Sequence, residues 1–316
     1  MTYLIRHVTS FSYSPGVGES VMEVRLQPRS DPRQHCLTFN LEVNPRAKIS
    51  VYRDFYGNSV HHFDIPGKHD HIQVASEATV DMLPRLDVEK LTQSTWEELD
   101  ELVAQGDYWE MLLPSHYATP TEMLYRLRHE LHLERRGDPL SLLKELNTAI
   151  YENFDYAPNT TRVDSPIDDA LQTHQGVCQD FAHIMIGLVR LLRIPCRYVS
   201  GYLYHQSENH DRSPAGASHA WVEAYLGEVG WVEFDPTNNL LGCDRHIRVA
   251  VGRDYADVPP TRGVHRGEAE SELCVLATVS LIDAPKPEDL GPAMVFRSPR
   301  QSPAQNPDAA QMQNQQ

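Results

Sequence analysis

A 3.6-residue apolar rhythm that gives way to strict alternation constrains this chain more than any other feature. After Cys178 come Phe181, Ile184, Met185, Leu188, Val189 and Leu192, spaced as the inward stripe of an amphipathic helix, and Pro195 ends the run. From His219 to Leu226 the period drops to two. His219, Trp221, Glu223 and Tyr225 share one face, and Ala220, Val222, Ala224 and Leu226 the other. A second alternating run covers Val229 to Asp235. Such a chain must pack a helix on antiparallel strands, an α+β arrangement.

A three-residue turn over Leu226, Gly227 and Glu228 sets Tyr225 opposite Val229, Trp221 opposite Glu233 and His219 opposite Asp235. Opposed side chains on one face have Cβ atoms only ~4.5 to 5.5 Å apart. A carboxylate at that range can hold an imidazole so that its other nitrogen faces a thiol. Cys178 is expected in the first helical turn, on the packed face, where the positive helix end favours a thiolate; Gly176 supplies the backbone freedom for a sharp entry. A solitary cysteine is more often a small core residue. Its partner segments overturn that reading, and Cys178, His219 and Asp235 are the candidate nucleophile, base and orienting carboxylate of acyl-transfer chemistry. Asp180, two positions into the helix, could help the base, but its place in the first turn better suits complementing the positive helix end. Trp221 and Trp231 flank the pair, either walling a thiol pocket or simply packing across strands.

The segments GVCQDFA, RIPCRYVSGY, SHAWVEAY and WVEFDPTNN, in that order over residues 165 to 239, resemble the core of the transglutaminase-like proteins, a branch of the papain-like cysteine enzymes. The first 80 or so residues, with YLIRHVTSFSYS, VRLQPRS and RDFYGNSV, are similar to the bacterial amino-terminal region that often precedes that core. The resemblance implies Cys178 as nucleophile, His219 as general base and Asp235 as its orienting group, with acyl transfer through a thioester. Members cross-link glutamine or hydrolyse peptide and amide bonds. This chain departs from animal transglutaminases in length, in lacking their later β-sandwich domains and in showing no calcium loop.

Composition sets the frame. At 316 residues the chain allows about two domains, and 41% hydrophobic residues suffice for their cores. With 44 acidic against 28 basic residues and a formal net charge of -16, neither nucleic acid nor an anionic membrane is an expected partner. No apolar run suits a signal peptide or a membrane helix, and five cysteines show no close pairing pattern, which together suggest a cytoplasmic protein. Residues 1–85 alternate in short runs punctuated by proline and glycine, an antiparallel β domain in which Leu37, Phe39, Leu41 and Val43 share a face. A linker is expected over residues 83–89. Helical patterns follow at 95–113, 119–133 and 139–154, the last with Asp138-Pro139 as cap and first turn. The second domain, helices plus catalytic core, is expected over 86–290, with strands near 197–204, 246–251 and 273–282 beside the hairpin. Residues 291–316, rich in glutamine, asparagine and proline, are expected to form a disordered tail.

Among 16 histidines, the pairs His61 and His62, His69 and His71, and His129 and His132 could each offer two metal ligands, but no third is placed beside them and surface roles are preferred. No metal or cofactor is called for. An oxyanion needs donors; the Cys178 backbone N–H is one, and Gln172, His174 and Gln175 are candidates for a second. The expected partner is a peptide or protein substrate bearing a carboxamide or peptide bond. Hydrolysis on Cys178 is the first reading, amine transfer to glutamine the second, and a non-catalytic peptide-binding module the third.

Overall fold

The computed structural model describes residues 1–83, 95–158, 160–206, 208 and 210–283. The chain opens with four strands, β1 (Thr2–Val24), β2 (Gln34–Asn44), β3 (Ser50–Arg53) and β4 (Ser59–Met82). Three helices follow, α1 (Trp96–Ala104), α2 (Glu122–Glu130) and α3 (Pro139–Asn153). Asp138 caps α3 by accepting a hydrogen bond from the Ser141 amide at 2.9 Å, with Pro139 in the first turn as the sequence predicts. Short β5 (Asp155–Tyr156), α4 (Ile167–Thr173) and β6 (Gln175–Gly176) lead into α5 (Cys178–Leu191). Then come β7 (Cys196–Leu203), β8 (His219–Tyr225), β9 (Trp231–Asp235), β10 (Leu240–Leu241), β11 (His246–Gly252), β12 (Thr261–Arg266) and β13 (Glu270–Ile282).

The strands form two main antiparallel sheets. In the first, β1 is a spine flanked on one edge by β4, while its other edge pairs with β13 along its first half and β12 along its second. Residues 261–282, assigned from sequence to the second domain, therefore hydrogen bond into the sheet that the first 82 residues build. The spine also serves two cores. Tyr3 and Ile5 of β1 with Ala78, Val80 and Met82 of β4 join the large core of the helices and second sheet, whereas Tyr13, Val17, Met22, Phe63 and Ile72 close a smaller one. Phe39, Leu41 and Val43 of β2 pack on the inner side, but a bulge between Cys36 and Thr38 leaves Leu37 without a partner and turns it outward. The expected linker, past Leu83, and the expected tail lie outside the described residues.

The second sheet has the order β10-β9-β8-β7-β11, and α5 packs across β7 and β8. The predicted apolar stripe of α5 is present, but the helix has no wet face: every residue from Gln179 to Arg190 is buried. Its polar side chains survive there because each finds a partner. Gln179 donates to the Val163 carbonyl at 2.9 Å, His183 accepts from the Tyr255 amide at 3.2 Å, and Arg190 donates to Ser115 Oγ at 2.8 Å and to the Arg253 carbonyl at 2.7 Å. None of the described helices is long and apolar enough to cross a membrane.

Candidate active site

Cys178 is the first residue of α5, half-buried, with its backbone amide among those at the helix start that have no intrahelical acceptor. The turn before it is fixed by Asp180, whose Oδ2 accepts from the Val177 amide at 2.8 Å and from the Thr161 hydroxyl at 2.6 Å. Gly176 is needed for space rather than for backbone freedom, since a Cβ there would sit 2.8 Å from Asp180 Oδ2 and 2.9 Å from its Cβ. Asp180 thus stabilises the helix end, as its position in the first turn suggests.

His219 opens β8 and Asp235 closes β9, on the same face and almost wholly buried. The pairing differs from the expected register. Tyr225 opposes Trp231 and Val222 opposes Phe234, so the hairpin loop spans five residues, 226–230, instead of three. Gly227 and Gly230 adopt positive φ of 59° and 77°, and the Leu226 amide closes the loop on the Gly230 carbonyl at 2.9 Å. A slip of two residues preserves the face, so His219 and Asp235 meet diagonally rather than directly, which lies within reach of an imidazole. His219 Nε2 is 2.8 Å from Asp235 Oδ2.

The carboxylate is held from every side. Oδ1 accepts the backbone amides of Thr237 at 3.0 Å and Asn238 at 3.2 Å. Oδ2 takes, besides His219, His246 Nε2 at 3.1 Å and Asn238 Nδ2 at 2.8 Å. Burial alone would push this acid up, but His219 and then His246 outweigh it and hold Asp235 well below the usual carboxylate range. Burial likewise pulls the His219 imidazole down, yet Asp235 and the neighbouring Cys178 thiol raise it to about 10. His219 Nδ1 is buried and without a hydrogen-bond partner, so it is the ring atom available to the thiol. The arrangement can move a proton between sulfur and imidazole while the carboxylate stays charged.

The two tryptophans part company. Trp221, fully buried, stacks on His219 at 6.0 Å between centroids and meets His246 edge-on at 5.0 Å. Gly201, paired with His219 on β7, leaves room for it, since a Cβ there would lie 2.7 Å from the Trp221 ring and 2.1 Å from the Ile247 carbonyl oxygen. Trp231 is at the far end of the hairpin, against Tyr225 and beneath the Arg197 guanidinium, 3.9 Å from its ring centroid.

Of the three proposed oxyanion donors, His174 is committed through Nδ1 to the Asn153 carbonyl at 3.0 Å, Gln175 pairs with Asp155, and Gln172 lines a separate cavity with Phe154 and Leu171. Sequence reasoning overlooked Tyr156, which lies in register with Gly176 and whose phenol is pushed up by burial and then by Cys178. It also overlooked Asn238 and His246. The NN of DPTNN hints at a turn that folds back on the aspartate, but nothing local marks His246, two strands away across β7.

His219, Asp235 and His246 place three possible ligand atoms within 4.8 Å of one another, the one such group among the described residues. Both imidazoles converge on a single carboxylate oxygen at hydrogen-bond distances, and a closed zinc site wants a fourth protein ligand. The group is a hydrogen-bonded cluster. Of the histidine pairs noted in the sequence, His69 bonds Ser20 at 2.8 Å and the Gly67 carbonyl at 2.9 Å, and His62 faces Asp64 at 3.3 Å.

Residues 3–81 match the bacterial transglutaminase-like N-terminal region and residues 132–236 match the transglutaminase-like superfamily. An uncharacterised protein of Mycobacterium leprae is 33% identical over 87% of this chain and 96% of its own length. The chain belongs to the transglutaminase-like superfamily. A solved Cytophaga hutchinsonii structure, provisionally assigned as a cysteine protease, has the same fold as this transglutaminase-like protein, with a TM-score of 0.68 at 24% identity over 90% of this chain and 92% of that one. A protein-glutamine gamma-glutamyltransferase of Pseudomonas aeruginosa is 31% identical over 50% of this chain, a stretch that makes up 25% of that larger protein. In this transglutaminase-like core the matched segment runs from just before α3 to just past Asp235 and so contains Cys178, His219 and Asp235.

Proposed function

We propose that this protein is a cysteine-dependent acyl-transfer enzyme that hydrolyses a peptide or amide bond through a thioester on Cys178. One observation carries the reading: the Asp235 carboxylate fixes His219 through Nε2 and leaves the buried Nδ1 unpartnered beside a thiol at a helix start. His219 takes the Cys178 proton, and the thiolate attacks the carbonyl carbon. Negative charge then grows on the carbonyl oxygen, where the Cys178 amide donates. Tyr156, from β5, is the second donor in this scheme. The proton on His219 passes to the leaving amine, and water, with His219 again as base, releases the acid and regenerates the thiol.

A second reading replaces water with a primary amine, and the Pseudomonas aeruginosa glutamyltransferase supports it over the shared half of the chain. Ammonia release from a glutamine peptide, followed by mass spectrometry of the peptide with and without a primary amine, separates the two. Hydrolysis yields glutamate in both cases, whereas transfer yields the amine adduct. Alkylation of Cys178 between pH 5 and 9, in the parent and in His219→Ala, tests the common step. Fast labelling near pH 6 that collapses in the variant is the expected result. Labelling that rises only near ~8.5, as for an isolated thiol, and ignores His219 overturns both readings.

A further inference from the structure

Asp235 has a second arm that the scheme above leaves unused. Cys243, in the turn before β11, places its Sγ 3.3 Å from His246 Nδ1, and His246 Nε2 reaches Asp235 Oδ2 at 3.1 Å. The chain Cys243, His246, Asp235 repeats the order thiol, imidazole, carboxylate, and ends on the same oxygen that binds His219 at 2.8 Å. His246 and Asp235 are fully buried while Cys243 remains partly accessible, so the second thiol meets solvent but its proton path leads inward.

We propose that Cys243 is a second activated thiol, a site of reversible S-thiolation by low-molecular-weight disulfides, whose modification retunes His219 through the shared Asp235. Of the five free cysteines, Cys36 and Cys196 are pushed up to about 11 by burial, whereas at Cys243 burial is outweighed by the hydrogen bond from His246, which lowers it. The Arg245 guanidinium also faces the sulfur while holding Asp211 at 2.8 Å. Tyr3 of β1 also lies within electrostatic reach of the sulfur. Burial lowers His246, but Asp235 and Cys243 raise it to about 8, so an imidazolium stands beside the sulfur near neutral pH and favours its thiolate.

In the step itself the Cys243 thiolate attacks one sulfur of the disulfide. A new S–S bond forms, the old one breaks, and the departing thiolate leaves as a thiol with the proton that His246 held. The Cys243 sulfur is oxidised, and the departing sulfur is reduced in equal measure. His246 is left neutral, still donating through Nε2 to Asp235 but no longer charged. The thiolate and imidazolium charges are both gone, and where His219 itself titrates, above the His246 value of about 8, the charge removed is the thiolate's, so His219 holds its proton less tightly. The coupling to the Cys178 centre rests on the proposed function; the modification of Cys243 does not.

The full chain carrying Cys178→Ala, treated with 2-hydroxyethyl disulfide at pH 7 and mapped by peptide mass spectrometry, tests the site. Cys243 is expected to react at least 10-fold faster than exposed Cys274, with a half-maximal rate below the ~8.5 of a free thiol, and to slow at least 10-fold in His246→Gln. A rate no faster than that of Cys274, or a pH midpoint at or above that of a free thiol, overturns the proposal even where His246→Gln does not fold. Imidazole ¹⁵N titration of the same Cys178→Ala protein before and after modification reads the coupling. The His219 midpoint is expected to fall, because at the pH where it titrates His246 is already neutral and modification removes only the negative charge of the Cys243 thiolate. A stationary His219 rejects the coupling, whether or not Cys178 proves to be catalytic.

Discussion

Two groups of carboxylates lie on one face of the β8 and β9 hairpin, equally buried and differently served. Glu223 and Glu233 oppose each other directly, a like-charge pair that would repel without its arginines. Arg197 reaches Glu223 at 2.7 Å and Arg248 at 3.1 Å, while Arg33, from the segment between β1 and β2, reaches Glu233 at 3.1 Å. Asp235, two residues along, meets imidazoles instead. A guanidinium does not give up its proton in a protein, and an imidazole does. The arginine cluster is therefore a permanent clamp that ties the segment after β1 to the second sheet, and the imidazole cluster is a place where protons can move. Burial sets the strength of both, and the partner decides which of them is chemistry.

The comparison can be broken by exchanging the expected failures. Asp235→Asn should cut turnover, and the rate of Cys178 alkylation at pH 6, by roughly 10²- to 10⁴-fold, because the amide presents the imidazole with the wrong hydrogen-bond pattern, and should also remove the stability that the raised His219 supplies. Unchanged alkylation at pH 6 in a destabilised Asp235→Asn would place Asp235 in the same class as Glu223. For Glu223→Ala the expected loss is in folding, about 3 to 5 kcal/mol in urea titration, since buried Arg248 and half-buried Arg197 are left beside Glu233 with one carboxylate too few. A stable variant with altered activity would reverse the assignment.

The pH dependence sharpens the contrast. His219 is raised from 6.5 to about 10 by Asp235 and Cys178 against burial, so the folded protein holds its proton where the unfolded chain has lost it. That contribution is complete below pH ~6.5, declines as pH rises, and is gone above about 10; it should amount to a few kcal/mol on the order given by such a shift, and vanish in His219→Gln. Glu223 runs the other way. Burial raises it, but Arg197 and Arg248 hold it well below the usual range, so its contribution is present above the ordinary carboxylate value and lost in acid. Denaturation midpoints measured from pH 3 to 10 should fall at both ends, the alkaline fall belonging first to His246, raised to about 8, and His219 together and then to His219 alone, and part of the acid fall to Glu223. The smallest effect is expected from Gly201→Ala, about 1 to 3 kcal/mol from overpacking against Trp221 and the Ile247 carbonyl, with a larger fractional loss of Cys178 reactivity as Trp221 shifts against His219. Unchanged reactivity would show that the tryptophan only packs.

Much of this was readable in the residues because it depends on local periodicity. The helix after Cys178, the alternation at His219 and the face shared with Asp235 follow from spacing, and face survives a two-residue error in register. The loop length did not follow, because the turn spends Leu226 and Gly230 on closing itself and the sequence marks only that glycines are present. The burial of α5 on all sides was hidden for a different reason: Gln179, His183 and Arg190 look solvent-facing until loops distant in sequence supply their partners. His246, Cys243 and Tyr156 were missed on the same ground. Each reaches the site through strand order, and strand order is a property of the whole sheet.

The placement of β12 and β13 against β1 has a consequence for how the chain is made. Synthesis delivers β1 first, and its 23 residues can pair with β4 soon after. Its other edge has no partner until residues 261–282 leave the ribosome. In the interval the helices and the five-stranded sheet are translated and must find their places beside an unpaired strand, the kind of edge that recruits neighbouring chains. The nascent protein thus carries a long open edge for as long as the helices and the second sheet take to emerge, and closes it with its last described strand.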